Sequence, residues 1–224
     1  NNVYVGTHTE WGKSVVSLIK SHCSGYVADF HPLMTLADAR GKILFVIRED
    51  YKSSNNGRYF GAYLNWTHDK VVFDTTLSGN GVGKAPIRVN DLYNIKNGAS
   101  DGVSKYAAID ECIAYTYNAT DVARWGMNYV SCYDRDHCSV TGLGILGALG
   151  DYDYCANRYN RYTADKLNRP DFRGNAGIVL MDFAGASNAT MTYGQTYSNM
   201  AVYGDDLVEA VIGANNKWDL RRNE

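Results

Sequence analysis

A run of apolar residues that ends on an arginine constrains the fold more than any other feature of this sequence. Ile43 to Ile47 are five consecutive apolar residues, the pattern of a strand that is covered on both faces, as in a parallel sheet. Gly41 suits a turn with backbone angles that other residues rarely adopt. Arg48 follows at the predicted carboxyl end of the strand, where α/β barrels place their functional residues. A cation at that position favours an anionic or polyhydroxylated ligand.

Helical and strand-like segments alternate along the rest of the chain. Helices are predicted at 10–23, 102–117, 152–167 and 205–214, and strands at 43–47, 86–93, 125–133 and 178–183. This alternation is typical of parallel βα units. Four such units make half of an eight-stranded barrel, and half a barrel exposes two unpaired strand edges. The sequence therefore predicts a single α/β domain over 1–224 whose barrel is incomplete in this chain.

Composition narrows the range of partners. The net charge of −2 provides no basic field, which argues against a nucleic-acid partner. No apolar run is long enough to span a membrane. The 18 tyrosines, against only 3 prolines, are a feature of carbohydrate-binding or secreted surfaces. Cys132 and Cys138 are spaced for a local disulfide, and isolated buried thiols are the alternative.

Four segments, in order, resemble the catalytic domain of the bacterial phosphatidylinositol-specific phospholipases C. The segments are Asp38–Arg48, Asn90–Tyr93, Ala176–Phe183 and Gly204–Asn215. The resemblance runs from about residue 10 to about residue 215. It implies the second half of a TIM-type, distorted β/α barrel. The first half, which carries both catalytic histidines in that family, has no counterpart here, so we expect this chain to lack them.

The same segments supply the candidate site residues. Asp91 and Tyr93, two apart in a predicted strand, point the same way and suit hydroxyl binding and ring stacking. Asp182 follows an apolar strand, and a carboxylate there needs a partner. The resemblance implies that Arg48, Asp91 and Tyr93 hold the inositol ring. It also implies that Asp182 orients the general-base histidine, as in the His–Asp half of a catalytic triad.

Three other motifs are interpreted as coincidental. His8 lies in a Gly-Thr-His sequence like that of the first catalytic histidine, but Thr9 replaces the following aspartate and too few residues separate it from Asp38. The glycine-rich segment 79–84 is one residue short of a phosphate-binding loop, and Ala85 replaces the required Ser or Thr. Asp134, Asp136 and His137 lack a recognised metal-ligand spacing. The resemblance implies that no cofactor is needed, because bacterial members of the family usually use no metal. Other members of the family use calcium, so calcium stays an alternative.

The resemblance implies a phosphoric diester hydrolase or lyase of lipid metabolism. It would cleave inositol phospholipid at the membrane surface, as a peripheral protein, to cyclic inositol phosphate and diacylglycerol. The expected partners are an inositol phospholipid or inositol phosphate head group, and a missing N-terminal half or a second copy that completes the barrel. Secretion or the cell envelope is the expected location.

Two other classes remain open. One is a non-catalytic module that binds glycans or inositol head groups through the aromatic-rich segments 51–66 and 152–162. The other is a glycoside hydrolase that uses Asp91 and Asp182 as its carboxylate pair. The second has the least support, because no further acid-bearing loop accompanies those two residues.

Overall fold

The computed structural model confirms the α/β class. It describes residues 8–48, 52, 55–59, 61–66, 71–81, 83–96, 98–100, 102–117, 123–134, 151–193 and 196–222. All four predicted helices form, the second shorter and the other three longer than expected. The helices are α1 (His8–Cys23), α2 (Lys105–Tyr117), α3 (Asp151–Asn168) and α4 (Gly204–Arg222).

One mixed sheet organises the strands. Its order is β1-β2-β3-β4-β8-β10, and three two-stranded pairs, β5–β9, β6–β7 and β11–β12, accompany it. The strands are β1 (Val46–Ile47), β2 (Ala62–Leu64), β3 (Val72–Ser78), β4 (Lys84–Asn90), β5 (Asn94–Ile95), β6 (Ala99–Ser100), β7 (Val103–Ser104), β8 (Trp125–Tyr129), β9 (Tyr133–Asp134), β10 (Ile178–Leu180), β11 (Asn188–Tyr193) and β12 (Thr196–Ala201).

The pairing is only partly the parallel one that the alternating pattern predicts. β1 pairs with β2 and β8 pairs with β10 in parallel, but β2 pairs with β3 antiparallel. β2 lies inside segment 51–66, where the sequence analysis predicts no strand. The sequence analysis also misses the β11–β12 hairpin. Short strands in polar surroundings carry too few apolar residues for a period of two to be recognised.

The apolar run that opens the sequence analysis forms a shorter and more exposed strand than predicted. Only Val46 and Ile47 belong to β1. Ile43 is 43% exposed and makes an isolated bridge with Val27, while residues 44–47 are half-buried. The expectation of a strand covered on both faces is therefore wrong for the described residues. β1 ends the sheet order and pairs only with β2.

The chain divides into two compact units. The first comprises Asn1–His68, Thr75–Ile87 and Asp121–Arg124, and the second comprises Asp69–Asp74, Arg88–Thr120 and Trp125–Glu224. Whether they form the single predicted domain stays a prediction. Each unit has its own buried apolar residues. Those of the first include Val16, Ile19, Phe30, Leu64, Leu77 and Ile87, and those of the second include Ile95, Ile109, Val130, Tyr159, Leu167 and Leu207.

Helix α2 buries part of the face that its apolar residues predict. Ile109 and Ile113 are buried, while Ala107 and Ala114 are exposed. The buried positions recur every three or four residues and include a charged one. They are Lys105, Ala108, Ile109, Cys112, Ile113 and Thr116.

Gly177 provides a test of the register between β8 and β10. Its φ is 70°, and a Cβ there would lie 2.7 Å from the Gly126 carbonyl oxygen. We expect Gly177→Ala to lower the free energy of unfolding by about 2 kcal/mol or more, because alanine is strained at positive φ and would push β8 away. Urea denaturation measures the change.

Gly213 is the matched control. It lies inside α4, and a Cβ there meets nothing within 4 Å. Gly213→Ala is expected to stabilise the protein by up to about 1 kcal/mol through helix propensity. Equal stability of Gly177→Ala and the wild type would contradict the described register.

Candidate functional site

A buried lysine lies at the centre of the candidate site. Lys105, the first residue of α2, is 0% exposed. Its Nζ donates hydrogen bonds to the carbonyl oxygens of Leu92 at 2.7 Å, Tyr129 at 2.5 Å and Ser131 at 3.0 Å. Leu92 and Ser131 follow β4 and β8, and Tyr129 is the last residue of β8. Lys105 therefore joins the ends of two strands of the main sheet.

Two buried asparagines fix the strand ends from within the sheet. Asn90 Nδ2 donates to Asn128 Oδ1 at 2.7 Å and to the Tyr129 carbonyl at 3.2 Å. Asn90 Oδ1 accepts the Leu92 backbone N–H at 3.1 Å, and Asn128 Nδ2 donates to the Ile109 carbonyl. These bonds satisfy polar groups that would otherwise be costly to bury. Consequently the chain leaves β4 in one defined direction.

Asp91 and Tyr93 lie just beyond β4 rather than within it. The Tyr93 backbone N–H donates to the Asp91 carbonyl at 2.8 Å, which closes a tight turn, and the Asp91 N–H donates to the Val71 carbonyl at 2.9 Å. The prediction that both side chains follow the period of a strand is therefore wrong. The cause is local: the Leu92 backbone N–H donates to the Asn90 side chain and not to a neighbouring strand.

Tyrosines surround the exposed side of this turn. Tyr93 is 42% exposed, and its hydroxyl lies 2.6 Å from that of Tyr152 on α3. The rings of Tyr133 and Tyr152 are 6.0 Å apart. Partial burial and the bond to Tyr152 raise the pKa of Tyr93 above its usual value. At neutral pH Tyr93 is therefore a neutral hydrogen-bonding group with an exposed ring.

Asp182 lies two residues after β10, at the start of a constrained turn. Asn160 Nδ2 donates to the Asp182 carbonyl at 3.1 Å and to the Val202 carbonyl at 2.8 Å. Phe183 has a φ of 59°, an uncommon conformation for a residue with a side chain. A Cβ on Gly204 would clash with the Phe183 carbonyl oxygen. The glycine that opens α4 thus makes room for the turn that carries Asp182.

The Asp182 carboxyl group is poorly satisfied. Its Oδ2 atom is buried and accepts no hydrogen bond from the residues that the structure describes. Burial raises the pKa of Asp182, and the positive charge of Lys105 opposes that rise. A buried acceptor without a partner is costly in a folded protein. Such groups concentrate at sites where a ligand or another residue completes them.

Charge connects these residues into one site. Burial lowers the pKa of Lys105 to about 8, while Cys132, Cys155, Asp91 and Asp182 act in the opposite direction. Lys105 is therefore mostly cationic at neutral pH. Asp182 also acts on the pKa of Tyr93. Asp91 and Asp182 therefore lie close enough to Lys105 to act on its pKa, Tyr93 lies close enough to Asp182 to be influenced by it, and all four residues belong to the second unit.

Arg48 lies in the first unit. It follows β1 as predicted and is exposed, with its guanidinium carbon 4.4 Å from the centroid of the Trp66 ring. Such stacking of a guanidinium on an aromatic ring orients the arginine side chain.

The described histidines also belong to the first unit. His22 is exposed near the end of α1, and His31 lies 3.9 Å from Asp38. His8 begins α1, and its side chain lies outside the described residues, as do His68 and His137. No described histidine is recorded in contact with Asp182.

The remaining sequence motifs have structural explanations where the structure describes them. Residues 79–81 and 83 lie between β3 and β4, with positive φ at Gly81 and Gly83, and Lys84 begins β4. Asp134 is buried and accepts the Gly98 backbone N–H at 2.8 Å, while Asp136 lies outside the described residues. Cys132 is a buried free thiol, and Cys138 also lies outside them.

The described residues contain neither a metal-binding cluster nor a membrane-spanning helix. No group of three or more His, Cys, Asp or Glu side chains within them is arranged to hold a metal ion. None of their helices is long and apolar enough to cross a membrane.

Lys105 and Asn160 are the site residues that sequence reasoning misses. Lys105 lies on the same face of α2 as Ile109 and Cys112. The sequence signal was therefore a charged residue at a position that helical periodicity assigns to the apolar face. Asn160 lies beside Tyr159 on the buried face of α3. A buried lysine or asparagine is uncommon without partners. Which carbonyls supply those partners is fixed only by the tertiary fold.

Comparison with solved structures identifies the fold. Variants of the phosphatidylinositol-specific phospholipase C from Staphylococcus aureus match with TM-scores of 0.58 and 0.55 at 15% sequence identity. A further structure, from work on membrane binding by the same enzyme, matches with a TM-score of 0.58 at 16% identity. Each match covers 94% of this chain and 60% of the phospholipase. No protein-family model and no curated protein matches the sequence.

These matches show the class of fold. The chain has a phosphatidylinositol-specific phospholipase C-like α/β fold, and it spans 60% of the length of the chains that it matches. The resemblance in four short segments and the likeness of the fold agree, although sequence identity is low.

Asp182 generates a prediction about stability. Because its pKa is raised on folding, the folded protein binds this proton more tightly than the unfolded chain does. As pH rises from the ordinary aspartate pKa through the raised one, this group lowers the free energy of unfolding. Asp182→Asn removes the ionisable group, so we expect it to be more stable than the wild type at pH 7 by about 1 kcal/mol. The difference should shrink at pH 4, as urea denaturation can measure.

Asp171→Asn is the control of opposite sign. The hydrogen bond from Arg169 lowers the pKa of Asp171, so its contribution is present at neutral pH and is lost as pH falls through the lowered pKa. Asp171→Asn should therefore be less stable than the wild type at pH 7, and the two should converge in acid. A loss of stability in Asp182→Asn at pH 7 would show that its carboxylate has a partner.

Proposed function

We propose that this chain forms the inositol-binding part of a phosphoric diester hydrolase or lyase of the phosphatidylinositol-specific phospholipase C type. One observation carries the proposal: Lys105 joins the ends of β4 and β8 through three carbonyls, and Asp91, Tyr93 and Asp182 lie just beyond β4 and β10, in a fold like that of the phospholipase. Parallel α/β folds place their functional residues at the carboxyl ends of strands. The likeness of the fold and the positions of these residues support the same function.

Each residue has a role that suits its surroundings. Asp91 accepts hydrogen bonds from neighbouring ring hydroxyls, and Tyr93 covers one face of the ring with its exposed phenol. Asp182 orients a histidine base and stabilises its cationic form, and that hydrogen bond would satisfy the buried Oδ2 atom. The resemblance also assigns Arg48 to the inositol hydroxyls, and this assignment stays a prediction.

The proposed reaction is an attack within the substrate. A histidine removes the proton of the inositol 2-hydroxyl, whose oxygen then bonds to the neighbouring phosphorus. The bond from phosphorus to the glycerol oxygen breaks, and a second histidine protonates that oxygen. The products are a cyclic inositol phosphate and diacylglycerol. We propose that both histidines belong to an N-terminal half outside these 224 residues, because a second copy would complete the barrel without supplying them.

The proposed function also implies where the protein is located. A substrate with two acyl chains requires peripheral binding at a membrane surface, and we propose a secreted or cell-envelope protein. The many tyrosines support an extracellular surface.

Binding of inositol tests the proposed site. We expect the 224-residue protein to bind myo-inositol in the millimolar range and D-glucose much more weakly, because a small polyol makes few contacts. Asp91→Asn should weaken binding at least tenfold, about 1.4 kcal/mol, by removing a charged acceptor. Titration followed by NMR chemical shifts measures both, with Asp171→Asn as the control that retains binding. Equal binding by Asp91→Asn and the wild type would remove Asp91 from the site.

Catalysis tests the division of roles. We expect the 224-residue protein to release no cyclic inositol phosphate from vesicles of phosphatidylinositol and phosphatidylcholine, because it lacks the base and the acid. Phosphorus NMR of the reaction mixture, with added calcium and with a chelator, provides the measurement. Release of the cyclic product would overturn this expectation and would direct substitution to His8, His31 and His68.

A second candidate function rests on a groove in the first unit. Tyr59 and Tyr63 stack with centroids 5.2 Å apart, and Asn80 holds the Tyr59 backbone through hydrogen bonds to both its N–H and its carbonyl. A groove of about 250 Å³ lies beside them, lined by Lys20, Ser24, Val27, Asp29, Asn55, Arg58, Tyr59 and Asn80. A stacked aromatic beside polar groups suits a sugar ring, which supports a non-catalytic glycan-binding module.

The inositol titration distinguishes the two functions. Chemical-shift changes at Tyr93 and Asp182 with myo-inositol support the phospholipase type. Changes confined to Tyr59 and Asn80, with oligosaccharides preferred over inositol, would support the glycan module.

A further inference from the structure

We propose that Lys105 is the positioning residue of the site: its ammonium group, bonded to three carbonyls at the ends of β4 and β8, fixes the Asp91–Tyr93 turn, and its charge acts on Asp182. This inference rests on the proposed function for its consequence in ligand binding. Its geometric and electrostatic parts concern the protein without a ligand. Lys105 is fully buried and does not contact ligand in this proposal, so it acts through Asp91 and Asp182.

The hydrogen-bonding pattern fits a charged lysine. An ammonium group has three donors and no acceptor, and Lys105 meets three carbonyl oxygens at 2.5 to 3.0 Å. A neutral amine would turn a lone pair towards one of these oxygens. The buried charge is therefore fully bonded, which is the condition under which a protein interior tolerates a lysine.

The three carbonyls lie where two chain segments converge. Leu92 follows β4, and Tyr129 and Ser131 end β8 and follow it. Immediately beyond, the Tyr133 N–H donates to the Tyr93 carbonyl at 2.7 Å, and β5 pairs with β9 in parallel. The Lys105 N–H also donates to the Gly98 carbonyl, which anchors the start of α2. Lys105 thus holds the turn that carries Asp91 and Tyr93 at a fixed distance from the end of β8.

The charge of Lys105 has a second effect. The positive charge of Lys105 lowers the pKa of Asp182, against the effect of burial. Tyr93 is the other titratable group that Asp182 influences. Around Lys105 the titratable groups are Asp91, Asp182, Cys132 and Cys155. A cation beneath two carboxylates favours the ionised Asp182 that a histidine base requires.

Substitution of the lysine tests the charge directly. Lys105→Met keeps the length of the side chain and removes the ammonium. We expect the pKa of Asp182, followed by carboxyl-carbon NMR of the protein without ligand, to rise by roughly one pH unit. An unchanged pKa of Asp182 in folded Lys105→Met would overturn the electrostatic role.

Lys217→Met is the matched control. Lys217 Nζ also donates to backbone carbonyls, those of Leu167 and Arg169 at 3.0 and 3.2 Å. It is not among the groups that act on Asp182. Lys217→Met should therefore leave the pKa of Asp182 unchanged. A rise in both variants would indicate a general loosening of the fold, and would count against the proposal.

If Lys105→Met does not fold, the pKa of Lys105 in Asp182→Asn provides the reciprocal measurement. In Asp182→Asn the lysine loses a neighbouring negative charge, so the pKa of Lys105, followed by NMR of its side chain, should fall below about 8. No change in the Lys105 titration would overturn the coupling.

Inositol binding separates this proposal from the proposed function. If the wild type binds myo-inositol, Lys105→Met should weaken binding at least tenfold and Lys217→Met should not. Equal inositol affinity of Lys105→Met and the wild type would refute the positioning role. If the wild type does not bind, the proposed function fails, and the titrations without ligand still decide whether Lys105 controls Asp182.

Discussion

The hydrogen bonds between the Lys105 ammonium and three backbone carbonyls are the interaction on which the second unit depends. A lysine excluded from water destabilises a protein unless its charge is fully bonded. The three carbonyls that satisfy it come from chain segments distant in sequence. They must therefore be held at a common point, and that requirement fixes how the chain leaves β4 and β8. The first residue of a helix thereby determines the geometry of two loops.

The residues that supply the chemical groups of the site also lower the stability of the fold. Asp182 has a buried carboxyl oxygen with no partner in the described part of the chain, and the next residue has positive φ. The fold compensates nearby: Asn160 bonds to the Asp182 carbonyl, and Gly204 leaves room for the turn. Functional sites commonly combine such strain with a well-bonded surrounding.

The fold limits the function without deciding it. The likeness to a phosphatidylinositol-specific phospholipase C covers nearly the whole chain but 60% of the enzyme, at low identity. One fold can serve many chemistries, so a function must be argued from its site. Here the site offers two carboxylates, a phenol and a buried cation. These groups suit the recognition of hydroxyls and the support of a base, while the groups that move protons are proposed to lie elsewhere.

The sequence by itself determined the four helices, the α/β class and the positions of Asp91, Tyr93 and Asp182 near strand ends, because apolar periodicity is local. It did not determine the antiparallel pairing of β2 with β3, the exposure of Ile43 or the turn that takes Asp91 out of the strand. Only the tertiary structure decided the role of Lys105. Burial of a charge depends on acceptors that folding brings from far along the chain, and no local pattern records them.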